Sequence, residues 1–563
     1  MRQVLIAFSA LLLILLFQNC NSFQSHLLES RDSPLQNFPD KESPYQYKAG
    51  APVIFFSDLT AGPNHGWSSS EPNKGAVVTL WGKGFASSRQ SSFVKVSGVK
   101  LSQNSDYPEA WGELGKPLPF LQRISFFLNS SVPIGAGGIS VTVDGLESNS
   151  VSFRVNDDGR IFFVDINAST SGSGAHGDPW SNPSSFIDTM SAGDTVYFRE
   201  GLYDQKYNGG KQNIWIRSSE ASGTEERPIA FVAYPGEQPM FDALTNGTDD
   251  DFHTSFNFQN TWTTVSKMKM RARSSGVQGV SYSRIVGNDL IGGQVFHSGT
   301  GIIVVGGDGA KVLGNAVHGG STANRLDHAI YINGCSPNLG VELGWNYSYD
   351  NNFDRGPMLV VNHQENRCSS SVYLKSHYIH DNVVDCTKYP SRGIGLFDQS
   401  WDDGDENEPE TTYVYNNIVN ACGTSTQPAM YQNSAHGAFF NNTIYNSQSS
   451  GFYVSGSRVI TSKIHNNIIH LANTDHLYID DDTQGVLASH NLYYGAGIYP
   501  GMDADAVNQE PLLLINSENG IFNVLEGSPS IDKGNSSIID FLILDFNGYL
   551  RETMDIGALE FID

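Results

Sequence analysis

The chain has 563 residues, too long for one ordinary compact core, so several domains or one elongated repeat domain are expected. Its 34 Lys+Arg stand against 59 Asp+Glu, and the resulting formal net charge of -25 argues against a nucleic-acid partner or an anionic membrane surface. A polyanionic substrate would then need a local basic cleft or bound calcium to override the global field.

The opening "MRQVLIAFSALLLILLFQNCNS" places Arg2 before an apolar run from Val4 to Phe17 and small polar residues after it, the pattern of a secretory signal over residues 1–20. The mature protein is therefore expected outside the cytoplasm. Cys20 directly follows the apolar run, which resembles a bacterial lipoprotein signal whose cysteine becomes the lipidated first residue. Gln18 and Asn19 occupy positions usually held by small residues, so membrane attachment through Cys20 and plain secretion both stay open. Residues 21–50, rich in Ser, Pro, Gln and charge, read as a flexible tether.

Residues 51–155 alternate short β-rich runs ("PVIFFSDL", "GAVVTLWGKGF", "SSFVKVSGV", "RISFFLN", "GGISVTVDG", "NSVSFRV") with Gly, Ser and Asn turns, the punctuation of a small β-sandwich. The order of "GAVVTLWGKGF", "VPIGAGGISVTV" and "SNSVSFRV" resembles the IPT/TIG immunoglobulin-like domain, which implies a spacer or binding module without catalysis. Trp67, Trp81 and Trp111 can stack on sugar rings or fill core and edge positions.

From residue 156 to 563 a repeat dominates. The segments "IVGNDL", "VLGNAV", "LGWNYS", "IHDNVV", "VYNNIV", "FFNNTI", "IHNNII" and "ASHNLY" carry Asn288, Asn315, Asn346, Asn382, Asn417, Asn442, Asn467 and Asn491. A stack of similar coils explains the repeat, each placing its Asn at one turn where amides bond up and down as a ladder. Between them run "GIIVV", "HAIYI", "PMLVV", "GIGLF", "AMYQN", "GFYVS" and "HLYID", whose alternation puts one set of side chains inside and the other outside. Long helical periodicities are absent. The expected fold class is all-β, a right-handed parallel β-helix preceded by a small immunoglobulin-like β-sandwich.

The entry "GDTVYFREGLY", the continuation "RPIAFVAYPGEQPMFD" and the closing "GSPSIDKGN" with "DFNGYLRETMDIGALEF" resemble pectate-lyase-like right-handed β-helix proteins over residues 160–563. The resemblance is specific for fold. It implies a carbohydrate-active protein, since that superfamily spans polysaccharide lyases, some glycoside hydrolases, epimerases and noncatalytic surface proteins.

Gaps between successive ladder asparagines are 27, 31, 36, 35, 25, 25 and 24 residues, so the long coils between Asn315 and Asn417 carry loops on a uniform scaffold. The strand "HAIYI" lies in that window. Alternation turns Ile330 and Ile332 inward, with His328 toward the interior or its rim, and turns Asp327, Ala329, Tyr331 and Asn333 outward. Aligning coils gives an outer column of Ile303, Tyr331, Val360, Gly395, Tyr431, Tyr453 and Tyr478. Stacking tyrosines and a satisfied histidine are the structural alternative to a site.

β-Elimination of a uronate polysaccharide needs a cation at the carboxylate, a base for the adjacent carbon-bound proton and an acid for the leaving oxygen. Arg355 or Arg325 suits the first role, His363 or His328 the second and Tyr331 the third. Asp327, Asn333, Arg392 and Trp401 are candidate substrate contacts. The run "DQSWDDGDENEPE" offers Asp402, Asp403, Asp405 and Glu406 as oxygen ligands around Gly404 for calcium, or stays a solvated acidic loop. Hydrolysis by paired carboxylates (Asp398 with Asp402, or Asp327 with Asp354) and noncatalytic glycan binding through Trp401, Tyr431, Tyr453 and Tyr478 are the competing readings. Cys335, Cys368, Cys386 and Cys422 contain no CxxC spacing, so disulfides or buried thiols outweigh a metal site, with three pairings open. The leading expectation is an exported or surface-anchored bacterial polysaccharide lyase, monomeric, acting on an acidic polysaccharide.

Overall fold

The computed structural model describes residues 50–114, 118–204, 212–244, 254–292, 301–322, 327–333, 339–353, 357–363, 375–398, 410–503, 505–537 and 542–562. Two small, mostly antiparallel sheets come first. One orders Val53–Ser57, Lys74–Lys83, Gln122–Asn129 and Glu113–Leu114, and the other is built around Gly135–Val143 and Val151–Asn156. Their inward residues, including Val78, Leu80, Phe126 and Val141, are fully buried, as alternation on a two-layer sandwich requires.

From Ile161 onward the strands stack into three parallel sheets of 12, 11 and 10 strands. Each coil contributes one strand to each sheet, as Lys311–Leu313, Ala316–His318 and His328–Asn333 do. This is a right-handed parallel β-helix, as the repeat implies. Its interior is a continuous column of aliphatic and aromatic side chains, and the short helix Ser184–Ile187 lays Phe186 and Ile187 on its first coils. No helix among the described residues is long and apolar enough to cross a membrane.

The asparagines form the expected ladder. Asn288 donates from its backbone and side chain to Asn315 Oδ1 (3.0 and 2.9 Å), and the same pair of bonds recurs from Asn315 through Asn467. The last rung, Asn491, donates from Nδ2 to Asp503 Oδ2 at 2.8 Å. A carboxylate suits that end, because it accepts and has no further rung to donate to. The residue before each rung adopts the left-handed conformation, with φ between 50° and 66° from Gly287 to His490, which explains the repeated Asn-Asn pairs.

Those same turns carry the sandwich. Phe55 and Phe56 pack on Trp345 with ring centroids 5.3 and 5.2 Å apart, and Trp81 stacks on Phe56. A Cβ at Gly287 would lie 2.5 Å from Trp81, and one at Gly314 would meet Phe56, so glycine is required there by docking as well as by dihedral. Trp67, Trp81 and Trp111 are all buried, which settles them as packing residues. Farther along, Asn416 Nδ2 and Asn441 Nδ2 donate to the carbonyls of Leu544 and Asp555 in the closing segment, both at 3.0 Å.

Cys386 and Cys422, both buried, form a disulfide between neighbouring coils. Cys20, Cys335 and Cys368 lie outside the described residues.

Candidate functional site

The outer face of the third sheet is set by register. Val304, Tyr331, Val360, Gly395, Tyr431, Tyr453 and Tyr478 are consecutive partners across six coil junctions. The expected column is therefore corrected at its first position: Ile303 pairs with Ile330, and both are core residues.

A second correction concerns the strand His328–Asn333. The amides of Ala329 and Ile330 both donate to the Met358 carbonyl, at 3.0 and 2.9 Å, so two residues oppose one. Such a bulge interrupts the alternation. Ala329 consequently joins the interior instead of facing out, and His328 stacks on Tyr331, centroids 5.6 Å apart and planes 20° apart. Asp327, expected to face outward, is fully buried. Asn333 is half-buried opposite Asn362.

The bulge is repeated two coils on, where the amides of Gly393 and Ile394 share the Ala429 carbonyl (2.9 and 3.1 Å). It brings Arg392 onto the outer face, its guanidinium 4.3 Å from the centroid of Tyr431 and 5.4 Å from that of Phe397. Arg392 donates from Nη2 to Gln427 Oε1, while its buried Nε has no hydrogen-bond partner among the described residues. Burial pulls the guanidinium down to about 10, with Tyr431 and Tyr453 opposing, so it stays cationic at neutral pH. Gly395 makes room: a Cβ there would sit 2.5 Å from the Phe397 ring.

His328 lies in the same field. Its Nδ1 is 3.0 Å from the Pro357 carbonyl, which accepts the Nδ1 proton and leaves Nε2 as the unprotonated nitrogen. Burial pushes the imidazole down to about 4, the nearby Arg392 adds to that, and the Pro357 carbonyl resists. His328 is thus neutral, with a defined tautomer, through the physiological range.

Beyond Arg392 the rings meet edge to face: Tyr431 and Tyr453 at 5.5 Å and 83°, Tyr453 and Tyr478 at 4.9 Å and 86°. The Tyr453 hydroxyl donates to Asp480 at 2.9 and 3.1 Å from its two oxygens, and Tyr478 is 42% exposed. The second sheet behaves differently, since Tyr445, His470 and Tyr494 lie nearly parallel, 7° and 18° apart, covering one another's faces. The edge-to-face rings of the third sheet cover one another less than this parallel stack does, most clearly at the exposed Tyr478.

Arg325, Asp354, Arg355, Trp401, Asp402, Asp403, Asp405 and Glu406 lie outside the described residues. His363 and Asp398 are register partners at the ends of their strands. Among the described residues no group of three or more His, Cys, Asp or Glu could hold a metal ion. Sequence reasoning missed Phe397, Gln427 and Asp480 as parts of this face. The glycine in an otherwise bulky column, Gly395, was the available signal for Phe397.

No protein-family model matches the chain, and no curated protein matches it. Among solved structures it is similar to pectate lyase Pel9A (14% identity, TM-score 0.48, covering 71% of this chain and 96% of that one). It is also similar to XylC, solved in complex with xylose (12%, 0.45, 71% and 98%), and to the PL6 family polysaccharide lyase Pedsa3628 from Pseudopedobacter saltans (12%, 0.35, 56% and 82%). The β-helix itself is established by the three strand stacks of this chain.

Proposed function

We propose that this is an exported, carbohydrate-active protein that cleaves a uronate-containing polysaccharide by β-elimination on the outer face of the third sheet. The observation that carries the reading is a half-buried cation, Arg392, two coils from a neutral histidine of fixed tautomer, His328, whose field it shares and on which Tyr331 stacks. Arg392 joins Arg325 and Arg355 as a candidate carboxylate neutraliser, its guanidinium held against two rings.

In this scheme the uronate carboxylate sits on the Arg392 guanidinium, which stabilises the negative charge that develops when the adjacent C–H bond breaks. His328 Nε2 takes that proton, the C–H electron pair becomes the new C=C bond, and the bond to the leaving glycosidic oxygen breaks. Tyr331 gives its hydroxyl proton to that oxygen. The products are an unsaturated uronate and a new chain end, and solvent exchange returns His328 and Tyr331 to their starting states. His363 remains the alternative base, and calcium at Asp402, Asp403, Asp405 and Glu406 remains a second means of holding the anionic sugar. The export signal and lipidation of Cys20 belong to the same proposal; fatty-acid labelling with a Cys20→Ala control tests the anchor.

A noncatalytic glycan-binding protein is the second reading, favoured by the open-faced tyrosines, which need no chemistry to be useful. Ultraviolet absorbance during incubation with pectate, alginate and glycosaminoglycans, with and without calcium, separates the two. Rising absorbance that disappears in Arg392→Gln supports the lyase. Reducing ends without absorbance would transfer the proposal to hydrolysis by carboxylates, and binding without either product would leave the binder.

A further inference from the structure

The outer face of the third sheet is chemically graded along the helix axis. At one end stands the Arg392 guanidinium, on Tyr431. One and two coils on come Tyr453 and Tyr478, and there the charge reverses: Asp480 accepts the Tyr453 hydroxyl, and Asp481 and Asp482 continue the turn, both exposed. Coils stack at the strand spacing of about 4.8 Å, so the tyrosine stretch runs for roughly 10 Å, enough for a short oligosaccharide segment. Sugar rings present C–H faces that pack on open aromatic faces, and the edge-to-face geometry keeps such faces available. A carboxylated sugar placed there would face Asp480, Asp481 and Asp482, a like-charge juxtaposition that the single cation of the preceding turn, Arg458, offsets only in part.

We infer that the glycan recognised by this face is a heteropolysaccharide in which an acidic sugar is followed by neutral sugars: the acidic unit on Arg392, the neutral ones on Tyr453 and Tyr478. Asp480 has two roles in this arrangement. It fixes the Tyr453 ring through the hydroxyl and it disfavours a second uronate. A homopolymer carrying a carboxylate on every unit is therefore a poor ligand, and a wholly neutral polymer lacks the group that Arg392 takes. This inference rests on the sheet face proposed above as the carbohydrate site, and its experiment separates failure of the selectivity from failure of the chemistry.

The experiment uses the full mature chain and three polymer types of matched length: a homopolyuronate, a polymer alternating uronate with neutral sugar, and a neutral polymer. Titration calorimetry reads binding, and absorbance of the unsaturated uronate reads cleavage. The alternating polymer should bind at least tenfold tighter than either other type. Asp480→Asn should tighten homopolyuronate binding by up to about fivefold, the range of a partly exposed charge contact. Tyr478→Ala should weaken the alternating polymer severalfold. Equal or tighter binding of the homopolyuronate by the wild-type chain overturns the inference while leaving the lyase reading intact. Selective binding of the alternating polymer without any absorbance supports the inference and removes the lyase reading. An Asp480→Asn chain whose homopolyuronate affinity does not rise, with circular dichroism unchanged, also overturns it.

Discussion

Along the ladder turn of the β-helix every coil repeats one arrangement, whereas the outer face of the third sheet changes residue from coil to coil before it settles into three successive tyrosines. At the turn, six of the eight residues before the rungs meet a segment docked on the coil. Gly287, Gly314 and Trp345 receive the sandwich, while Asn416, Asn441 and Asn466 hold the closing segment, Asn466 accepting from the Asn535 amide at 2.9 Å. On the sheet face, a histidine, an arginine, a glycine and three tyrosines follow one another, two of the coils are bulged, and the Arg392 Nε is left without a partner among the described residues. The same repeat thus supports a regular edge of reciprocal amide bonds and an irregular face that carries a cation and open rings.

Breaking a rung should have the largest effect. Asn382→Leu removes the oxygen that accepts two bonds from Asn346, at 2.9 and 3.0 Å, leaves the buried Asn346 backbone N–H unpaired, and deletes the bonds that Asn382 Nδ2 donates to the Leu343 carbonyl and Asn417 Oδ1. The expected loss is about 4 kcal/mol in urea unfolding, with catalytic activity per folded molecule retained. Next is Arg392→Gln on the other face, expected to lower kcat/KM by about a hundredfold, the scale of losing a preorganised charge, while the unfolding midpoint holds. If both readouts fall together in either variant, the separation of scaffold edge from site face is wrong. A smaller effect is expected where the sandwich docks. Gly314→Ala places a methyl group against Phe56 and forces a left-handed alanine, for about 2 kcal/mol of lost stability and no change in the ladder below it.

The ladder was legible because backbone geometry forces it: a buried turn in the left-handed region followed by a satisfied amide admits few residue types, and asparagine leaves its spacing in the sequence. Its end was not, because Asp503 comes 12 residues after Asn491 instead of a full coil later. The outer column was legible from Tyr331 onward and wrong at Ile303, since alternation carries no sign of an added bulge residue. Arg392 was singled out only as a substrate contact. Its packing against Tyr431 and Phe397 depends on two neighbouring coils at once, and no local pattern encodes that. The docking of Phe55, Phe56 and Trp81 onto the helix was equally invisible, because a strand residue facing a second domain looks like one facing its own core.

The pH profile offers the finest test of the site face. A base must be neutral to act, and His328 is held near 4 by burial and by Arg392, below the ordinary value of 6.5. Above about pH 5 the imidazole is already unprotonated, so kcat/KM should be level from there through neutrality and fall only on acidification toward about 4. Arg392→Gln removes the charge that helps depress His328, so the residual activity of that variant should show its acidic limb displaced upward, by a fraction of a pH unit, because burial persists. A wild-type limb centred near 6.5 would assign the base to a histidine in an ordinary environment and exclude His328, leaving His363 as the candidate on the adjoining coil. A displaced limb in the variant would show Arg392 and His328 sharing one electrostatic site, the single respect in which the irregular face is as tightly coupled as the ladder.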